Sequence, residues 1–275
     1  MSKEHLLAIP VYNEERYLTR VIAESKRYSR HILVVDDGST DRTPALLRGQ
    51  RSVHVVTHSR NLGYGKSLAD AFAYARCEGY AWLITMDCDE QHEPARIPQF
   101  VEAIAIGDAD VISGTRYPRG FDAEGAAPAD RRRINQHITA LLNRRLGLKL
   151  TDAFCGFKAY RVSSLGSIEI TEPGYAMPMQ FWVQVVRGGL RVRELPVPLI
   201  YKDPTRHFGG TLDDPDARLR HYLQVLKREM AASPVGSRGV FGACAERGAP
   251  EGDAADADGK ARAVGACCGQ PRKLG

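Results

Sequence analysis

Long apolar runs are missing from this 275-residue chain. No stretch approaches the roughly 18 residues that cross a bilayer as a helix, so no transmembrane span is expected. Cysteine is sparse and unpatterned. The six residues, at 77, 88, 155, 244, 267 and 268, form no C-x-x-C pair and no framework spacing. That argues against a disulfide scaffold and for a reducing, cytoplasmic setting. The opening Met1-Ser-Lys-Glu-His5 runs into a strand-like segment with no apolar leader core, so no secretory signal is expected. Excess charge is small: the net value is +5, too little to argue for a nucleic-acid partner. Internal repeats are absent. So are the G-x-G-x-x-G and G-x-x-x-x-G-K-[ST] signatures, which leaves dinucleotide and P-loop phosphate sites without support.

What is present is an ordinary globular composition, 43% hydrophobic and 26% charged, which excludes a wholly disordered or collagen-like chain. The composition breaks near Met230. Residues 231–275 hold Ala, Gly, Pro and charge with almost no large apolar side chain, and a disordered tail is expected there. Residues 1–230 are expected to form one domain in which apolar runs alternate with helical patterns. The runs are Leu6–Ile9, Ile32–Val35, Val53–Val56, Trp82–Met86 and Asp110–Ser113. Helical spacing covers Glu14–Tyr28, Ser67–Arg76, Ile97–Ile106, Asp130–Leu146 and Met177–Arg187, and Thr43-Pro44 has the form of a cap opening a further helix. Arg191–Tyr201, with Pro196 and Pro198, suits an edge strand. Strand and helix alternating at this spacing predict an α/β fold with a mostly parallel central sheet covered on both faces.

In such a sheet, ligands bind beyond the carboxyl ends of the strands. The segments that follow the first four strands are polar and largely acidic: Pro10-Val-Tyr-Asn-Glu14, Asp36-Asp-Gly-Ser-Thr-Asp41, His58 to Lys66, and Asp87-Cys-Asp-Glu-Gln-His92. One acidic turn is ordinarily a cap or a solvated loop, but four at one sheet edge are not. Acidic side chains repel a diphosphate unless a divalent cation lies between them. Asp87, Asp89 and Gln91 alternate onto one side of an extended turn, and their hard oxygen donors suit Mg²⁺ or Mn²⁺.

The set Pro10-x-Tyr-Asn-Glu14, Val34-Val-Asp-Asp-Gly-Ser-Thr-Asp41, Asn61-x-Gly63-x-Gly65, Met86-Asp-x-Asp-x-Gln-His92 and Ser113-Gly-x-Arg116 resembles glycosyltransferase family 2. The DxDxQH form, Asp152-x-x-x-Gly156-Phe157-Lys158 and Tyr201…Arg206-x-x-Gly209 resemble its dolichol-phosphate mannose synthase and polyprenyl-phosphate glycosyltransferase branch. The resemblance implies a GT-A, Rossmann-like sandwich and an inverting, metal-dependent transfer of a hexose from a nucleotide-diphosphate sugar to a polyprenyl phosphate. GDP-mannose and UDP-glucose are both compatible donors. The resemblance assigns Pro10, Tyr12 and Glu14 to base and ribose, with Asp36 or Asp37 holding one of them, counts Val35 and Lys66 among the substrate-binding residues, and gives Asp87, Asp89 and Gln91 to the cation. A lipid phosphate needs cations to hold it, and the candidates are Arg116, Arg132 or Arg133 from the Arg131–Arg133 run, and Arg206. Asp152 would act as a base on a hydroxyl acceptor or would orient the acceptor arginines. Cys155 is expected to be a small buried residue and not a nucleophile.

Leu219, Tyr222, Leu223, Leu226 and Met230 fall on one helical face flanked by Arg218, Arg220, Lys227 and Arg228. That face suits either packing on the domain or peripheral contact with the cytosolic side of a membrane. Competing readings are transfer to a saccharide or protein hydroxyl, a degenerate nucleotide-sugar binder, and a sugar-1-phosphate nucleotidyltransferase. The last would need a Gly-rich basic loop where Pro10–Glu14 stands.

Overall fold

A computed structural model describes residues 3–118, 127–201 and 209–232. The order of elements is β1 (Lys3–Val11), α1 (Leu18–Ser25), β2 (Ile32–Asp36), α2 (Thr43–Arg48), β3 (His54–Thr57), α3 (Tyr64–Cys77), β4 (Tyr80–Thr85), α4 (Ile97–Ile106), β5 (Val111–Thr115), α5 (Ala129–Leu146), β6 (Lys158–Arg161), α6 (Met177–Arg187), β7 (Val192–Pro196) and α7 (Pro215–Ala231). The strands form one sheet in the order β3-β2-β1-β4-β6-β5-β7. Pairing is parallel except at β6, which runs antiparallel to both β4 and β5. The expected α/β sandwich with a mostly parallel sheet is the fold observed.

Strand alternation splits the core into two layers. Leu6, Ala8, Leu33 and Val35 pack under α3, α5, α6 and α7. Leu7, Ile9, Ile32 and Val34 face α1, α2 and α4. Burial on both faces is why these strands read as unbroken apolar runs. The chain leaves β1 toward β2 and β3 on one side and reaches β4 on the other. The switch point therefore lies between the carboxyl ends of β1 and β4, where an open sheet presents its ligand cleft.

Several boundaries differ from the sequence expectation for identifiable reasons. α1 is regular only from Leu18, because Glu14 N–H donates to the Thr43 hydroxyl (2.9 Å), pinning the first turn to the next loop. Thr43 consequently does not cap its own helix. It sits inside α2 behind Arg42, and Asp41 Oδ1 accepts from its N–H instead. α3 starts at Tyr64, not Ser67, because Gly63 (φ +104°) turns the chain one residue before it. β6, four residues with a basic residue at each end, was not expected as a strand.

The apolar face of α7 packs on the domain. Tyr222, Val225 and Leu226 are buried in the same layer as α6, and Leu219 and Leu223 pack against it. Within that helix the large apolar residue left exposed is Met230, so the face is not available to a bilayer. Among the described residues no helix is long and apolar enough to cross a membrane. Residues 233–275, and with them most of the expected tail, lie outside the described residues.

Candidate active site

A cleft of about 640 Å³ opens over the carboxyl ends of β1 and β4. One part of its lining is Pro10, Tyr12, Asn13, Glu14, Asp37, Asn61 and Gly63. Asn13 holds this edge together. Its Oδ1 accepts from Thr40 and Asp41 N–H, and its own N–H donates to Ser39 Oγ (2.9 Å). The left-handed backbone at Asn13 (φ 57°) is tolerable because an Asn side chain supports it locally. Asp37 Oδ1 and Oδ2 accept from Leu62 and Gly63 N–H at 2.7 and 2.8 Å. Gly63 and Gly65 are required by space, since a Cβ would stand 2.3 Å from Pro173 O at the first and 2.1 Å from Glu172 O at the second. The glycines of Asn61-x-Gly63-x-Gly65 therefore seat the start of α3 against residues 172–174.

The sequence candidates on this side divide. Tyr12, Glu14, Pro10 and Asp37 line the cleft. Asp36 does not. It is buried, and its Oδ1 accepts from Ser39 N–H at 3.0 Å. Val35 is a core residue of β2 with no exposure, which corrects its assignment to the donor. Lys66 is also corrected, since its ammonium turns to Asp70, one helical turn along α3.

Beyond β4 the chain does not stay extended but bends, with Glu90 left-handed (φ 61°). Asp87, Asp89 and Gln91 line the cleft together with the largely buried Cys88, and His92 is buried behind them. His92 locks this turn. Its Nδ1 accepts from Asp87 N–H (3.1 Å), and its Nε2 lies 3.8 Å from Cys155 Sγ. Burial drives the His92 pKa down to about 4, so the ring is neutral and stays an acceptor. Gly156, in the segment leading into β6, packs against Asp87. A Cβ there would stand 2.5 Å from Asp87 Oδ2 and would push the carboxylate from this position. Tyr64 donates to Asp87 Oδ1 (3.4 Å), and burial, then the Asp87 charge, keep that hydroxyl protonated well above its ordinary pKa. Cys155 is fully buried, and burial raises its thiol to about 11, which disqualifies it as a nucleophile.

Among the described residues no cluster of three His, Cys, Asp or Glu side chains is placed to hold a metal. Two carboxylates with one amide oxygen fit Mg²⁺ or Mn²⁺ completed by phosphate oxygens and water, and fit a fully enclosed site poorly. The glycine-cradled Asp87 is consistent with that use.

The far wall is cationic and aromatic. Arg116, Arg131 and Arg218 line it with Tyr117, Phe154, Tyr175, Tyr201 and Tyr222. Arg116 makes a two-pronged pair with Asp152, Nε–Oδ2 2.7 Å and Nη2–Oδ1 3.0 Å. Asn135 and Phe154 N–H also donate to Asp152 Oδ1. Burial alone would raise the Asp152 pKa, but the Arg116 charge and these hydrogen bonds overcome it and hold the carboxyl at about 2. Burial likewise works against the Arg116 charge, and the Asp152 carboxylate more than compensates, so the guanidinium pKa is raised. Asp152 has no exposure and does not line the cleft. Its geometry is that of an arginine-orienting group and not of a base. Glu194 on β7 holds this turn in its own right, accepting from Thr151 N–H and Asp152 N–H.

Of the arginine run, Arg131 lines the cleft, above the Tyr201 ring at 5.5 Å. Arg132 and Arg133 lie off it, because the helix turns them about 100° and 200° away. Arg206 lies outside the described residues. Sequence reasoning missed Arg218. It is 3% exposed and bonded to Leu212 O and Asp130. In the sequence it flanks the apolar face of α7, and its place four residues before Tyr222 puts both on one face.

A family model described as glycosyl transferase family 2 matches residues 7–168. Undecaprenyl-phosphate mannosyltransferase of Micrococcus luteus is 30% identical over 207 residues, 72% of this chain and 84% of that one. Polyprenol monophosphomannose synthase of Mycolicibacterium smegmatis is 30% identical over 206 residues, 71% of this chain and 77% of that one. The crystal structure of glucosyl-3-phosphoglycerate synthase from Mycobacterium tuberculosis with Mn²⁺, UDP and phosphoglyceric acid superposes with a TM-score of 0.64 at 19% identity, covering 85% of this chain and 81% of that one. At that identity the superposition speaks for the fold.

Proposed function

The chain belongs to glycosyl transferase family 2, and from that premise we propose that it moves a hexose from a nucleotide-diphosphate sugar to a polyprenyl phosphate with inversion at the anomeric carbon. The observation that carries the choice of acceptor is the state of Asp152. A hydroxyl acceptor needs a base, whereas Asp152 is buried, ionised to about pH 2 and occupied by Arg116. A phosphate acceptor arrives already anionic and needs cations, which Arg116, Arg131 and Arg218 supply in the cleft that Asp87 and Asp89 also line. The aromatic side chains around those arginines suit an apolar chain next to the phosphate. The names of the relatives, a mannosyltransferase and a mannose synthase for polyprenyl phosphates, agree with this reading.

In this mechanism Tyr12, Glu14 and Asp37 hold the nucleotide, and Asp87, Asp89 and Gln91 would hold Mg²⁺ or Mn²⁺. The cation, when bound, neutralises charge on the departing nucleoside diphosphate. The arginines keep the acceptor phosphate on the opposite side of the sugar. A phosphate oxygen bonds to the anomeric carbon as its bond to the diphosphate breaks, and the bonding pair leaves with the nucleotide. No proton has to be removed from the acceptor.

Incubation with labelled GDP-mannose or UDP-glucose, Mn²⁺ and undecaprenyl phosphate tests this. The expected product is organic-extractable and labile to mild acid, and Asp89→Asn lowers its rate at least about a hundredfold, as loss of a group acting on transition-state charge should. Label appearing only in saccharide or protein, with none in the organic phase, would refute the lipid acceptor.

A further inference from the structure

His58 follows β3 and lies beneath the donor wall, its side chain 6% exposed. Nδ1 is 2.6 Å from Asp37 Oδ1, and Nε2 is 2.8 Å from Asp70 Oδ2 on α3. Asp37 accepts at both oxygens, since Leu62 and Gly63 N–H donate to them as well. Asp70 also receives the Lys66 ammonium. Ionised carboxylates only accept, and a neutral imidazole carries one N–H. A neutral His58 would therefore set a ring lone pair against one of its two carboxylates. Satisfying both requires two N–H donors, which is the imidazolium.

The groups facing the ring are thus Asp37 from the end of β2 and Asp70 from α3, with Lys66 of α3 behind Asp70. Charge alternates along the set. The Asp70 hydrogen bond raises the His58 pKa, burial opposes it, and Asp37 adds to the rise, so the net shift is upward. Burial works against the Asp70 charge too, but the bonds from His58 and Lys66 outweigh it and lower that pKa.

We propose that His58 is a positioning residue for the donor: as an imidazolium it fixes the Asp37 carboxylate against residues 62–63 and so sets affinity for the nucleotide. This rests on the reading above that the nucleotide lies along Tyr12, Glu14 and Asp37. His58, Leu62 and Gly63 occupy three of the roughly four lone-pair sites of that carboxylate, leaving one for a ligand N–H or hydroxyl in the cleft. A neutral ring that keeps its one N–H toward Asp70 turns the Nδ1 lone pair on Asp37 Oδ1 and repels it. The carboxylate then gives up both its aim at the ligand and its grip on the turn that opens α3.

The test uses full-length protein with ¹⁵N-labelled histidine. Imidazole ¹H–¹⁵N spectra are followed over pH, and His58 is assigned by its loss in His58→Gln. The expected inflection lies above the ordinary imidazole value, and Asp70→Asn moves it down. Wild-type affinity for UDP or GDP with Mn²⁺ should weaken by up to about one decade per pH unit above that inflection, and in Asp70→Asn the onset should move down with it. His58→Gln should raise donor KM about tenfold, change kcat less than about threefold and lose this pH slope. Asp70→Asn keeps the test alive if His58→Gln does not fold. A neutral His58 below the ordinary imidazole value, or nucleotide affinity indifferent to pH, overturns this proposal and leaves the donor site standing. Absence of nucleotide binding at every pH overturns the donor reading, and this proposal with it.

Discussion

Individual side chains in the cleft are set by neighbours that never touch its contents. Asp152 shows the energetic side of this. It is fully buried against Arg116, so removing its charge leaves a guanidinium that is only 17% exposed without its counter-ion. Asp152→Asn should destabilise the protein by about 3–5 kcal/mol at neutral pH, read from the denaturant midpoint. The sign with pH follows from the lowered pKa. The contribution of Asp152 is fully present above its unfolded value near 4 and fades as pH falls toward about 2. The gap between wild type and variant should therefore close in acid, and a gap constant down to pH 2 would contradict the pairing. Much of the site was legible at this scale: Asp87, Asp89, Gln91, Tyr12 and Glu14 announced themselves by following apolar runs. His58 and Gly156 are in contact with Asp37 and Asp87, and nothing in their spacing reveals that. The role of Asp152 was legible only as an alternative, because its choice between base and orienter depends on where Arg116 turns.

Among the elements, α6 and α7 are joined by a buried polar link. Gln180 and Gln184, one turn apart, each donate an amide N–H to Glu229, at 3.0 and 2.8 Å. Their carbonyls accept from N–H groups of residues 169, 171 and 172, which tethers the segment leading to Tyr175 and the cleft. Glu229→Ala leaves one N–H of each amide without an acceptor, while the other stays on Thr171 Oγ1 for Gln180 and on Glu169 O for Gln184. A loss of about 1–3 kcal/mol per unsatisfied group is expected, measured as a lower urea midpoint with unchanged m-value. Helices with clean stops were readable from the sequence. α4 and α6 match their expected bounds, and Gly107 and Gly147 end α4 and α5 in the left-handed conformation. β6 was not readable. Lys-Ala-Tyr-Arg is too short for a period, and its basic ends are covered only in the fold, where Arg161 lies over the Trp82 ring and Lys158 over Trp182.

For the whole molecule, the cleft is assembled from the ends of β1, β2 and β4 on one side and from α5, α6 and α7 on the other. A ligand spanning both walls stabilises the native state by mass action. A nucleoside diphosphate with Mn²⁺ at about a hundred times its Kd should add about 2.7 kcal/mol, seen as a higher Tm that disappears in Asp87→Asn. The sheet order carries one more consequence. β6 belongs between β4 and β5, yet it is synthesised after both. A nascent chain leaving the ribosome must keep that slot vacant for more than forty residues after β5 is complete, with backbone donors and acceptors of both neighbours unpaired. Until it fills, the Gly156 segment that leads into β6 is not seated against Asp87, so the β4 end of the cleft is completed only after β6 docks, and premature closure of the slot is the misfolding hazard that this topology carries.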